Sequence, residues 1–310
     1  MTYAAESTQA DHPKTSTRGV VTIATGPRRY RMMAHDLALS IQRFSPSLPI
    51  AVITDSVDDQ CFKVFDRVIK ADESFGDGFL QKLSLHRYTL WDEVLFIDCD
   101  CLVVGDLESI WDLISTQEVG YAGERFTDGV WYGVEIGPLR ERIGLNWIGK
   151  LNSGAIYYRP GAAAAAVFDR AAEFTRQEYA TLGFPAFKGT TKSDEPGLAV
   201  ALAEQDIPPV HDSEGVYMRT PIGIEGPMHI DIDKGGCSFL KAGTRVTPII
   251  AHFATWTRHP VYLSERVRLR LLQKRHLPSI LVRFVGFATY YVLCLAVRIN
   301  RIRRAILKSF

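Results

Sequence analysis

"EVLFIDCDCLVVGDL" (Glu93–Leu107) sets three carboxylates, Asp98, Asp100 and Asp106, into the most apolar stretch of the first third of the chain. The run from Val94 to Ile97 predicts a strand buried on both faces, as in a parallel sheet. The two-residue period of a strand turns Asp98 and Asp100 to one side and Cys99 to the other. Two carboxylates aimed the same way repel unless a cation lies between them. Oxygen ligands suit a hard divalent ion such as Mn²⁺ or Mg²⁺, which proteins hold through one or two carboxylates together with substrate phosphates. A bare D-x-D has a plainer reading as well, in which one acid caps a turn and the other is solvated.

Upstream, "GVVTIATG" (19–26) reads as a strand ending at a glycine, followed by "YRMMAHDLALSIQRF", whose Met33, Leu37, Ile41 and Phe44 recur at helical spacing. "LPIAVITD" (48–55) and "DRVIKAD" (66–72) predict further strands, and "LQKLSLHRYTL" (80–90) a helix leading into the acidic strand. Downstream, "NSGAIYY" (152–158) and "TPIIAHFA" (247–254) read as strands. Gly161 to Ala180 and "DEPGLAVALAEQ" (194–205) read as helices, the latter with acids in its first turn. Residues 212–244, rich in Gly and Pro, predict loops and short strands that shape a pocket. This alternation implies one α/β domain with a mostly parallel central sheet, helices on both faces, and ligands at the carboxyl ends of the strands.

The 310 residues are 46% hydrophobic and 23% charged, which is globular. Net charge is +1, but residues 258–310 hold 12 Lys/Arg against Glu265 alone, and the remainder 24 against 34 acids. A basic tail on an acidic body points to an anionic surface. Five cysteines without a C-x-x-C pair imply a reducing compartment, and the polar residues 1–18 a floppy arm without a secretory signal.

Within the tail, "LPSILVRFVGFATYYVLCLAV" (277–297) carries one charge, Arg283, and its uncharged piece from Phe284 to Val297 is shorter than the ~20 residues a spanning helix needs. In "RINRIRRAILKSF", Arg298, Arg301, Arg304 and Lys308 share one helical face, and Ile299, Ile302, Ile306 and Phe310 another. This predicts an amphipathic helix over 263–310 lying on a membrane, its arginines on anionic headgroups at the cytoplasmic face. A terminal core helix or a homodimer helix is the plainer reading. The aromatics do not interleave with the basic residues, which argues against nucleic-acid binding. No Gly-rich phosphate loop supports a nucleotidyltransferase.

Across residues 19–260 the chain resembles the family-eight, glycogenin-like retaining glycosyltransferases of the GT-A fold. "QKLSLHRYTLWDEVLFIDCDCLVVGDLESIWD" resembles that family's K-L helix, apolar strand and D-x-D. "LNSGAIYYRP" is similar to its N-S-G strand, "SDEPGLAVAL" to its D-Q helix start, and "IIAHFATWTRHPVY" to its H-F-x-G-x-x-K-P-W segment. The resemblance implies a GT-A domain over 19–262, a UDP-sugar donor, and a metal held by Asp98, Asp100 and His252. It also implies donor contacts from Lys82 and Asp98, Tyr30 stacked on uracil, Thr25 against the nucleotide, and Arg258 on the leaving diphosphate. Asn152 and Asp194 would hold donor hydroxyls, with Asp194 or Glu195 beneath the anomeric carbon.

The departures are specific. Thr255 replaces a glycine, His259 is an added residue, Val261 and Tyr262 stand where tryptophan is expected, the turn "ATGPRRY" is one residue longer, and Glu195 replaces the usual glutamine. The expected function is metal-dependent sugar transfer with retention to a glycan, lipid-linked or protein acceptor. The alternative is a catalytically silent glycan- or membrane-binding protein on the same fold.

Overall fold

The computed structural model describes residues 18–76, 78–88, 90–186, 192–273 and 277–308, with side chains as far as Ile299. The N-terminal arm lies outside the described residues, as do the tail side chains of the predicted basic face beyond Arg298. In chain order come β1 (Arg18–Ile23), α1 (Arg28–Phe44), β2 (Ile50–Thr54), β3 (Arg67–Lys70), α2 (Phe79–Lys82), β4 (Glu93–Ile97), β5 (Cys101–Val103), α3 (Glu108–Ile114) and β6 (Val119–Phe126). A hairpin of β7 (Val130–Trp131) and β8 (Val134–Glu135) leads through α4 (Ile136–Arg142) to β9 (Ile148–Tyr158), α5 (Ala162–Gln177) and α6 (Glu195–Glu204). The chain ends with β10 (Met218–Arg219), β11 (Ile224–Ile230), β12 (Cys237–Lys241), β13 (Thr244–Val246), β14 (Ile250–His252), α7 (Pro260–Leu272) and α8 (Ser279–Lys308).

The central sheet has the order β3-β2-β1-β4-β9-β6. Its first four strands are parallel, and β9 runs antiparallel to both β4 and β6. Alternation along β4 divides its side chains between two cores: Val94 and Phe96 pack with α5 and α6, and Leu95 and Ile97 with α1 and α3. All four are fully buried, which is why this strand reads as an unbroken apolar run.

A second sheet, β10-β14-β5, positions the site. Its strand β14 pairs antiparallel with β5 and sets His252 opposite Cys101, directly beside the D-x-D. The backbone N–H of Phe253 closes the junction by donating to Asp100 O at 3.2 Å.

Two local expectations are revised. The predicted helix 80–90 is only the single turn α2 followed by a 3₁₀ turn at Leu85–Arg87. Its Gln81 amide donates to the carbonyls of Asp72 and Gly76 at 2.6 and 2.7 Å, and Gln81, Lys82, Leu83, Ser84 and Leu85 are all buried. Side chains buried on every side cannot form one helical stripe. The D-x-D, in turn, is not strand: β4 ends at Ile97 and the Cys101 N–H donates to Asp98 O at 3.0 Å. A turn, not strand alternation, gathers the two acids.

The C-terminal helices are tied down by charge. Asp36 on α1, fully buried, accepts from Arg270 at 2.6 and 2.7 Å and from Arg266, and so fastens α7 to α1. Burial works against the ionised carboxyl, yet His35 and the two guanidiniums hold it below the usual carboxylate range. Helix α8 docks its start on the body through buried Val282, through Gly286 against the Arg268 side chain, and through Arg283, 3.0 Å from Asp233.

Candidate functional site

The Nε2 atom of His252 lies 3.2 Å from Asp100 Oδ1 and 3.8 Å from Asp98 Oδ2. The histidine is 7% exposed, whereas the two carboxylates are partly open to solvent. The structure thus brings the three predicted metal ligands together on an accessible rim. Burial disfavours the imidazolium, but Asp100 and then Asp98 outweigh it and raise the affinity of the ring for a proton. The same negative potential would attract a divalent cation, and oxygen and imidazole donors fit one. Cys101 Sγ also falls within this cluster. Its S–H donates to Gly154 O at 3.6 Å, and burial pushes the thiol well above its ordinary range, so it remains a protonated neighbour.

The other face of His252 fixes the tautomer. Asn152 Oδ1 accepts from the Gly154 N–H at 2.9 Å and also faces His252 Nδ1 at 2.7 Å. An acceptor there requires Nδ1 to carry a hydrogen, so Nε2 faces the acids, holding a second proton toward Asp100 or offering its lone pair to a cation that displaces that proton. Gly154 has a separate role: a Cβ on it would come within 2.2 Å of His252 Nδ1. The N-S-G strand is therefore built around the histidine. With its oxygen occupied, Asn152 keeps its amide nitrogen for any sugar contact.

Lys82 carries the site from the Asp98–Asp100–His252 cluster to the second acidic pair. Its ammonium is 2.9 Å from Asp98 Oδ2 and 3.1 Å from Asp194 Oδ2, and it donates to Ser153 Oγ at 3.1 Å. Lys82 and Asp194 are 4% and 1% exposed, so neither is a solvated surface charge. The Asp194 contact is an ion pair without hydrogen-bond geometry. Burial lowers the tendency of Lys82 to hold its proton, but Asp194 and then Asp98 more than offset this and the net shift is upward. For Asp98, burial comes first and Lys82 opposes it, yet Asp100 helps leave the carboxyl above its usual range.

Asp194 and Glu195 enter at the start of α6. That helix sits tight on α5, where a Cβ on Gly197 would come within 2.5 Å of Ala171 O and of Thr175 Oγ1. Glu195 is held at both oxygens: Oε1 accepts from Ser153 N–H at 3.1 Å and Oε2 from the Tyr132 hydroxyl at 2.7 Å. Burial first, then Asp194, push its carboxyl up to about 7 despite these two donors. Tyr132 and Ser193, whose oxygens are 3.0 Å apart, were not anticipated from the sequence. The Tyr-Gly pair at 132–133 was the only signal.

The nucleotide side is more open. Thr25 follows β1 at the carboxyl edge of the parallel strands, and its hydroxyl has no hydrogen bond among the described residues. The next residue, Gly26, at φ +79°, donates to Asp55 Oδ2 at 2.6 Å, so Asp55 acts as a turn cap. Tyr30, on the first turn of α1, lies under the Arg29 guanidinium at 4.8 Å. Arg258 is exposed and makes no ion pair or hydrogen bond among the described residues. The added residue His259 is the N-cap of α7: its Nδ1 accepts from Val261 N–H at 3.3 Å and its ring stacks on Trp256.

A cavity of about 970 Å³ lies elsewhere, between β11, β12, α7 and α8. Its lining includes Met228 to Asp231 and Gly236 to Ser238, within the segment expected to shape a pocket, and none of the predicted site residues.

No protein-family model and no curated protein matches the chain. Among solved structures it is similar to galactosyltransferase LgtC in complex with donor and acceptor sugar analogues, at 14% identity over 76% of this chain and 86% of that one, TM-score 0.46. It is also similar to glycosyltransferase GlyE from Streptococcus pneumoniae TIGR4, at 17% identity over 64% and 46% of the two chains, TM-score 0.43. Mouse xyloside xylosyltransferase 1 is a third, at 12% identity over 66% and 87%, TM-score 0.43. At these identities and scores the likenesses leave function to the site itself.

Proposed function

We propose that this protein is a metal-dependent glycosyltransferase that moves a sugar from a nucleotide-sugar, a UDP-sugar by the family resemblance, to a glycan, lipid-linked or protein acceptor with retention. The convergence of His252 Nε2 on Asp98 and Asp100, with the opposite ring nitrogen held by Asn152, is the observation that supports it most. When bound there, Mn²⁺ or Mg²⁺ would supply positive charge for the donor diphosphate.

The chain's own residues account for the rest. Lys82 holds Asp98 and Asp194 in one arrangement and brings positive charge to the donor. Arg258, exposed and without a partner among the described residues, would close on the leaving diphosphate. Thr25 and Tyr30, at the carboxyl edge of the sheet, would receive the nucleoside, with the Tyr30 ring stacked on the base. Asp194 and the Asn152 amide nitrogen would hold sugar hydroxyls. Glu195, clamped at both oxygens, would lie beneath the anomeric carbon as nucleophile or as stabiliser of positive charge.

The C-terminal helix α8 suggests where the enzyme works. Ser279–Ile299 is long and apolar enough to cross a membrane by length and composition. Along α8, Ile280, Phe284, Phe287, Tyr291 and Leu295 are exposed, Phe287 and Tyr291 where the helix borders the cavity against β11, β12 and α7. That stripe supports a helix lying in the cytoplasmic surface of a membrane.

Release of UDP from a panel of UDP-sugars with Mn²⁺, with and without chelator, tests the reading. Chelator-sensitive release that Asp100→Ala abolishes is expected. UDP and Mn²⁺ binding without any release would favour the second reading, a silent binding protein, for which the altered residues around Arg258 are the supporting observation.

A further inference from the structure

The hairpin β7–β8 turns on two residues, Tyr132 and Gly133, at φ +52° and +74°. Positive φ at both central positions is the mark of a type I′ turn, where Asn, Asp or Gly is favoured at the first position. A tyrosine there is disfavoured, because its Cβ crowds the backbone. Strain of this kind persists where the side chain is needed. The Tyr132 ring turns into the site, with its hydroxyl 2.7 Å from Glu195 Oε2 and 3.0 Å from Ser193 Oγ.

The direction of each bond follows from the chemistry. Burial, and then the neighbouring Glu195, push the Tyr132 phenol well above its ordinary value, so it keeps its proton and donates it to the carboxylate. Ser193 can then donate to the phenol oxygen. On the far side of the carboxylate the Ser153 N–H donates to Oε1. Glu195 is thus gripped by one donor from each side, and the hairpin supplies the second.

We infer that Tyr132 is a positioning residue, which fixes the rotamer of Glu195 from a hairpin whose strained turn delivers the hydroxyl. This rests on the proposed role of Glu195 in sugar transfer. The two donors favour the charged form of a carboxyl that burial and Asp194 drive toward neutrality, and removing one drives it further.

Two variants separate position from fold. Tyr132→Asn places a residue suited to the turn while removing the hydroxyl, and Tyr132→Phe removes the hydroxyl alone. Both should fold, because Tyr132→Phe keeps the ring and Tyr132→Asn relieves the turn. Both should lower kcat for UDP-sugar turnover about ten- to hundredfold, the worth of a hydrogen bond to a charged group, with little change in donor KM. The acid limb of the pH profile should move upward. A second readout does not depend on turnover: carboxyl NMR of Glu195, titrating near 7 in the wild type, should move to higher pH in Tyr132→Phe. An unchanged Glu195 titration in Tyr132→Phe overturns the inference, as does wild-type kcat in both variants. If the wild type turns over no donor while its Glu195 titration still shifts in the variant, the catalytic reading fails and the clamp stands.

Discussion

His252 Nδ1 stands 2.7 Å from Asn152 Oδ1, and that oxygen also accepts from the Gly154 backbone at 2.9 Å. One side-chain amide therefore decides which nitrogen of the histidine carries the hydrogen and leaves Nε2 to Asp98 and Asp100. Replacing Asn152 by Ala removes the acceptor and frees the ring to adopt either tautomer. Mn²⁺ affinity should fall about 10- to 100-fold, as for other partners of a ligating histidine, with the melting temperature little changed. Calorimetric titration of Mn²⁺ into the two proteins checks this, and equal affinities would refute the assigned tautomer.

Lys82 places a single ammonium between Asp98 and Asp194. Lys82→Met leaves Asp194, 1% exposed, without its counter-charge. Breaking a buried pair from one side costs about 3–5 kcal/mol. Thermal unfolding should fall by roughly 10 °C. Adding Asp194→Asn should recover part of the loss, because the uncompensated charge is then gone. A single variant as stable as the wild type would mean that Lys82 is not holding the two acids.

Glu195 gives stability a pH dependence of known sign. Its folded pKa, about 7, lies above the ordinary glutamate value, so between the two the native state binds a proton the unfolded chain does not. This contribution is full below the unfolded value and is lost as the pH rises through 7. Glu195→Gln should therefore stabilise the protein relative to wild type more at about pH 8 than at about pH 5, by on the order of 2 kcal/mol. Urea unfolding at the two pH values measures it. A difference of the opposite sign would place the carboxyl in a different environment.

Exposed apolar side chains on α8 predict partition onto vesicles. Phe284, Phe287 and Tyr291 are each more than half exposed. Co-flotation should be strong with anionic vesicles and weaker with zwitterionic ones, and a triple substitution of these residues to Ser should weaken both. Full binding by the triple variant would remove the membrane from the account, and concentration-dependent dimerisation lost in that variant would put a second copy on the stripe instead.

Much of this was legible in the sequence, for identifiable reasons. Asp98 and Asp100 follow an apolar strand and His252 ends one, and strand ends are easy to read where both faces are buried. The D-x-D was legible as a pair but not as a turn, because alternation along β4 already suggested the same convergence. The helix expected over 80–90 dissolved into short turns, since Gln81 bonds backward to Asp72 and Gly76 instead of following a stripe. Asp36 escaped notice because its partners Arg266 and Arg270 are more than 200 residues away in the chain. Tyr132 lies in a two-residue turn, too short for any periodicity, and its partner lies 63 residues onward.

The central claim is that Asp98, Asp100 and His252 form a divalent-cation site that serves a nucleoside diphosphate. Titrating Mn²⁺ in the presence and absence of UDP, and following free Mn²⁺ by electron paramagnetic resonance, tests it most directly. The account predicts one Mn²⁺ per chain, bound more tightly when UDP is present, and lost in both Asp100→Ala and His252→Ala while each variant stays folded. Mn²⁺ binding that ignores UDP, or that survives in both variants, would contradict it.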